Sequence, residues 1–279
     1  MIRNTFSILR GIGERLEKKL WKSGILTWED FISASDIDFI NPCKKTFFDG
    51  HLSSALRELE NANAEYFATV IKRREHWRLF NIFRGEAACL DIETNGLMPG
   101  NGGYVTVVGI YDGFDYRCFT RGDNLTTENL KKEFSRYKYL ITFFGAGFDV
   151  PYLMKTIPDL RFDIPHFDIC FSSKKLGFRG GLKKLEVLLG IQRDEAVRDF
   201  DGYDAIKLWE HAKRGSVEAL ELLKVYNRED TVNLAAIADI VYEKLCIQTG
   251  IREYLEYQPG EERQLAQNVS KEFHQLNQK

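Results

Sequence analysis

The chain contains no C-x-x-C pair and no cluster of cysteines with histidines. Its five cysteines, Cys43, Cys89, Cys118, Cys170 and Cys246, are odd in number and far apart. That spacing fits reduced thiols in a cytoplasmic protein better than a disulfide framework or a zinc site. Positive charge is not in excess either. A formal net charge of −2 excludes a generally basic coat, so any grip on a polyanion must come from local patches, helix N-termini or bound metal. No apolar run approaches the length of a membrane span, and the N-terminus lacks the apolar core of a signal peptide. Internal repeats and low-complexity linkers are also missing.

What is present is enough apolar material for a sizeable core: 44% of the 279 residues are hydrophobic and 13% aromatic. The first 80 residues read as helical. In "ILRGIGERLEKKLWKSGILTWEDFISA" a Gly-Ile-Gly turn precedes a helix with Leu16, Leu20 and Trp21 on one side, Gly24 in a C-cap position and Thr27 as the next N-cap. One long amphipathic helix is expected over 53–79. The pattern then changes to strands in "EAACLDIE", "YVTVVGIYDG", "DYRCFTRG" and "YLITFFGAG", with a hairpin through "YDGFD" and a fifth strand in "DIPHFDIC". Helices are predicted over 127–137, 173–189, 203–213 and 216–245, the last capped by Ser216. Three strands in meander order, then a crossover helix and more strands, imply a mixed α/β sheet with helices on its faces. The expected division is a small helical region over 1–80, an α/β domain over 81–250 and a polar tail over 251–279.

Carboxylates carry the functional signal. If Ala87 to Glu93 is a strand, Asp91 and Glu93 point to the same side, about 7 Å apart along the chain. Like charges so placed gain from a shared cation, although an exposed strand end would also tolerate them. In the last long helix, steps of three or four lead from Leu223 to Tyr226, Asp230 and Leu234, so Asp230 lies in the register of the buried stripe. A buried carboxylate needs a partner, and a metal ion, an arginine or a backbone amide would each serve. Asp149 follows an apolar strand and a Gly-Ala-Gly loop, where it is either a helix N-cap or a ligand at the C-terminal end of a strand.

In this order, "LDIETNGL", "GFDVPYL" and "YNREDTVNL" resemble the three motifs of the ribonuclease-H-like 3′–5′ exonucleases of the DEDDy type. That family includes the proofreading domains of family-B DNA polymerases and small stand-alone predicted exonucleases. The resemblance covers about residues 86–245 and implies a ribonuclease-H-like mixed sheet flanked by helices. It further implies that Asp91, Glu93, Asp149 and Asp230 hold two Mg²⁺ or Mn²⁺ ions, oxygen-seeking cations that match an all-carboxylate set. Tyr226 would position the attacking water. Thr94, Asn95 and Gly96 would line the terminal nucleotide of a DNA or RNA 3′ end, and Leu97 would wedge against its base. A departure is that Phe144 and Gly145 stand where the second motif often has an Asn. It leaves room for an alternative, a catalytically weak nucleic-acid-binding module of the same fold. His166 and Asp168 read as structural, and the "KKLGFRGGLKK" cluster as a phosphate contact or a solvated face. "LRGIGERLEKKL" resembles the hairpin of a helix-hairpin-helix element, in which Gly11 and Gly13 would bring backbone amides to a phosphate; simple helix packing is the alternative reading of the same turn. Asp230 set against an arginine, or more than about 10 Å from Asp91, would speak against the two-metal reading.

Overall fold

Short polar side chains start most of the helices in the computed structural model, which describes residues 1–255. After a 3₁₀ turn at Ile2–Asn4, α1 (Glu14–Lys22) begins at Gly13. Thr27 and Asp30 close a capping box on α2 (Trp28–Ser33). Asn41 caps α3 (Pro42–Glu60) and Asn63 caps α4 (Ala64–Val70). A 3₁₀ stretch, Arg73–Leu79, leads into α5 (Phe80–Phe83). The single helix expected over 53–79 is therefore interrupted. Asn61-Ala62-Asn63 ends α3, with Ala62 at φ +48°, and the Asn63 side chain starts a new helix.

The strands follow as β1 (Ala87–Thr94), β2 (Val105–Tyr111) and β3 (Tyr116–Thr120). Next come α6 (Thr127–Phe134), β4 (Tyr139–Thr142), α7 (Asp149–Thr156), β5 (His166–Asp168) and α8 (Ile169–Lys175). The chain continues as α9 (Leu182–Leu189), α10 (Gly202–Lys213), α11 (Val217–Thr249) and α12 (Ile251–Leu255). The helix expected over 173–189 is two helices, because Gly177 and Gly180 adopt φ +84° and +122° between them. Of the expected polar tail, 251–255 forms α12 and 256–279 lies outside the described residues.

The sheet runs β3-β2-β1-β4-β5. β1 pairs antiparallel with β2 and parallel with β4, and β4 pairs parallel with β5, which is the mixed sheet expected. Alternation along β1 assigns its faces. Ala88, Leu90 and Ile92 pack with α6 and α7 through Leu130, Tyr152 and Leu153. Ala87 and Cys89 face the other way, into a cluster with Leu234, Ile237 and Val241 of α11 and with the N-terminal helices. That cluster crosses the expected border at residue 80. It joins Trp21, Trp28 and Phe67 to Tyr139, Ile141 and Phe167 of the sheet. Polar bonds cross it too: Tyr139 donates to the His76 carbonyl at 2.7 Å, and the His166 amide donates to His76 Nδ1 at 3.0 Å. Among the described residues no helix is long and apolar enough to cross a membrane.

Candidate active site

Asp91 and Glu93 extend the Ala87–Cys89 face of β1 toward its C-terminal end, beneath α11. The α11 stripe that buries Leu223, Tyr226 and Leu234 carries Asp230 to the same place. One carboxylate oxygen each from Asp91, Glu93 and Asp230 lie within 4.8 Å of one another. A glycine permits this approach. Gly109 pairs with Asp91 in the β1–β2 ladder, and a Cβ there would meet Asn227 Oδ1 at 2.1 Å and Thr231 Oγ1 at 2.5 Å.

Asn227 is fully buried in that contact. Its Nδ2 donates to Asp91 Oδ2 at 2.8 Å and its Oδ1 accepts from the Tyr116 hydroxyl at 2.9 Å, so the Asp91 carboxylate is held in one orientation. Sequence reasoning missed this residue. The available signal was its place four residues after Leu223, a polar amide in an apolar stripe.

Asp149 is the first residue of α7 and is buried. It is not an N-cap; Phe148 holds that position and makes no side-chain cap bond. Its Oδ1 instead accepts from the amide of Ile92, between Asp91 and Glu93, at 3.1 Å. It stands outside the tight trio, yet its charge acts on both Asp91 and Glu93.

The electrostatics are those of a site short of positive charge. Burial first, and then the neighbouring carboxylate of Asp230, push Asp91 and Glu93 well above the usual range. Burial lifts Asp149 to about 7, against the lowering pull of backbone amides. Tyr226 is pushed up by burial and then by Asp230, Glu93 and Asp91, so its phenol stays protonated. The Lys183 ammonium lies 5.2 Å from the centre of its ring.

Asp230 has a second partner that the sequence did not disclose. Arg193 donates from Nε to Glu186 Oε2 at 2.5 Å, from Nη2 to Glu186 Oε1 at 3.0 Å, and from Nη2 to Asp230 Oδ1. Asp230 thus meets an arginine, the arrangement set against the metal reading, while also meeting Asp91 and Glu93, the arrangement set in its favour. Burial raises the Asp230 carboxylate and Arg193 pulls it back. One guanidinium shared with Glu186 lowers Asp91 and Glu93 as well, yet both stay well above the usual range. An all-oxygen set of this charge and spacing fits a hard divalent cation.

Beyond the acids, β1 ends at a bulge between Glu93 and Thr94 and runs into the expected nucleotide-lining segment. Thr94 Oγ1 accepts from the Gly96 amide at 3.2 Å. Asn95 braces its own loop, accepting from the amides of Leu97 and Tyr104 and donating to the Gly102 carbonyl. Gly96 adopts φ +81°, and Leu97 is half exposed while its carbonyl accepts from the Tyr152 hydroxyl. Gly11 and Gly13 are not part of this group. They flank Ile12 in the turn before α1, and Leu9 and Ile12 pack in the cluster on the N-terminal half of β1. Asp168 accepts from the amides of Phe144, Ala146, Cys170 and Phe171, a pin for the β4–α7 loop and a cap for α8. His166 Nε2 meets Thr142 Oγ1 at 2.8 Å.

A family model described as "RNase_H superfamily" matches residues 88–242, the span from β1 into α11. No curated protein matches the chain. A solved structure described as "apo form of the nuclease" is 21% identical, over a match covering 66% of this chain and 82% of that one, at a TM-score of 0.42.

Proposed function

Because the chain belongs to the ribonuclease H superfamily, we propose that it is a metal-dependent 3′–5′ exonuclease of the DEDDy type acting on DNA or RNA. The observation that carries this reading is the convergence of Asp91, Glu93 and Asp230 beside Tyr226, with Asp149 tied to the same strand. Asp91, Glu93, Asp149 and Asp230 would hold Mg²⁺ or Mn²⁺, which supply Lewis acidity and an activated water for in-line displacement at phosphorus.

The chain's own residues do the positioning. Asn227 fixes the Asp91 carboxylate, and the Ile92 amide fixes Asp149. The protonated Tyr226 hydroxyl is a hydrogen-bond donor at the site, suited to orienting a water or a phosphate oxygen. Thr94 to Leu97 would line the terminal nucleotide. The turn at Gly11 and Gly13 would offer a second, sequence-independent phosphate contact at the start of α1.

The test uses oligonucleotides of DNA and of RNA labelled at the 5′ end, with Mn²⁺, with Mg²⁺ and with EDTA. A ladder shortening one nucleotide at a time from the 3′ end is expected with metal, and none with EDTA. Asp230→Asn should reduce cleavage by orders of magnitude while leaving binding of the strand in place. Tyr226→Phe should keep metal binding and lower the rate. Full activity in Asp230→Asn would overturn the assignment. The second reading, a nucleic-acid-binding module with weak catalysis, draws on the Arg193–Asp230 contact and on Phe144 in the position of the motif Asn. It requires binding without a ladder under every metal condition.

A further inference from the structure

Phe144 has backbone and side-chain properties that work against each other. Its φ is +64°, in the left-handed region, where a bulky L residue is a genuine outlier and Gly or Asn is the comfortable choice. Two amide bonds to Asp168, from Phe144 at 3.0 Å and from Ala146 at 2.9 Å, enforce the conformation. The ring is not repaid by burial, since it is 44% exposed. It lies across Gly147, where an added Cβ would meet its Cζ at 2.6 Å, so the loop backbone serves as its floor. Beside it stands Phe171 of α8, 46% exposed, with ring centres 5.7 Å apart and planes at 44°. The Lys174 ammonium sits 5.1 Å from the centre of the Phe171 ring. The Phe144 side of the shelf lies in the loop that leads into Asp149. The Phe144 carbonyl accepts from the Phe148 amide at 3.1 Å, and Asp149 follows directly.

Resting on the exonuclease reading above, we propose that Phe144 and Phe171 form a stacking shelf for unpaired bases of a single-stranded substrate, with Lys174 meeting the accompanying phosphate. Aromatic rings open to solvent next to a cation are the combination by which proteins hold single strands without reading sequence. Every base has a π-face, so the shelf accepts any of them, whereas a duplex keeps its bases stacked on each other. Phe144 and Gly145 occupy the region in which the resembled second motif often has an Asn.

The experiment uses the full chain in EDTA, so that no cleavage occurs, and a single-stranded oligomer carrying 2-aminopurine near its 3′ end. Anisotropy reports binding and quenching of 2-aminopurine reports stacking. Wild-type protein should bind and quench. Phe144→Asn and Phe171→Ala should each weaken binding about tenfold and relieve the quench, in line with the usual worth of one stacked base. Phe47→Ala, at an exposed ring on α3, should change neither. Phe144→Asn should also melt no lower than wild type, because Asn tolerates the backbone conformation better. Unchanged affinity and quench in Phe144→Asn and Phe171→Ala would overturn the shelf and leave the exonuclease reading standing. A sharp fall in melting temperature for Phe144→Asn would make the ring a packing element and also overturn it. Failure of wild-type protein to bind any strand in EDTA would overturn the shelf, whereas the exonuclease reading stands or falls on the ladder formed with Mn²⁺ or Mg²⁺.

Discussion

Glu186 and Asp230 share one guanidinium, so replacing Arg193 by methionine takes the counter-charge from two carboxylates at once and leaves Glu186 only its bond from Asn233. Removing one member of a buried ion pair costs about 3–5 kcal/mol, and the metal-free variant should melt well below wild type. A cation that competes for Asp230 is removed at the same time, so millimolar Mn²⁺ should raise the melting temperature of Arg193→Met more than that of wild type. Equal shifts in thermal melts would show that the arginine and the metal do not share Asp230. A pH dependence follows from Asp149, whose pKa is raised to about 7 by burial. Native protein keeps this proton where the unfolded chain has released it. The contribution is therefore present below the ordinary carboxylate value and lost as pH rises toward 7. Metal-free protein should lose melting temperature across that window, and Asp149→Asn should flatten the loss. At this scale Asp91, Glu93, Tyr226 and Asp230 were legible because each sits on a face set by helix or strand periodicity. Arg193 was not, because "GIQRDEA" has no periodicity that brings it 37 residues forward to Asp230.

α11 crosses the sheet closely because β2 has no side chain at Gly109. Gly109→Ala would put a methyl group onto Asn227 Oδ1 and Thr231 Oγ1, forcing the helix outward. A destabilisation of about 1–3 kcal/mol is expected from overpacking, with loss of the Mn²⁺-induced stabilisation as Asp230 moves away from Asp91. Denaturant titration and metal-dependent melting check the two parts separately. The strands, α10 and α11 were legible, the last through its steps of three or four from Leu223 and its Ser216 cap, and all agree with the final structure. The breaks after α3 and α8 were not. Each depends on left-handed residues, Ala62 in one and Gly177 and Gly180 in the other, inside segments whose apolar pattern continues. Periodicity survives such an interruption better than the helix does.

For the whole molecule, the hydrophobic cluster running from Ile2 through the sheet to Ile251 makes the N-terminal helices and the α/β layer one packing unit. The border expected near residue 80 marked a change from helical to strand pattern, and packing continues across it. Trp21, Trp28 and Trp77 lie on the N-terminal side and Trp209 on α10, so single-tryptophan variants should report one unfolding transition at one denaturant concentration. Two separated midpoints would show independent units. A fragment starting at residue 81 should be poorly soluble, since Cys89, Tyr139, Ile141 and Phe167 would lose their cover.

Such a shared core also sets how far an event at the acids is felt. If α1 to α5 open only together with the sheet, the slowest amide exchange in α2 requires the same global opening as exchange in β1. A cation captured at Asp91, Glu93 and Asp230 then raises the cost of that opening everywhere at once. Deuterium uptake around Trp28 and Phe31 thereby becomes a remote gauge of metal occupancy, readable with no ligand, label or contact on that side of the molecule.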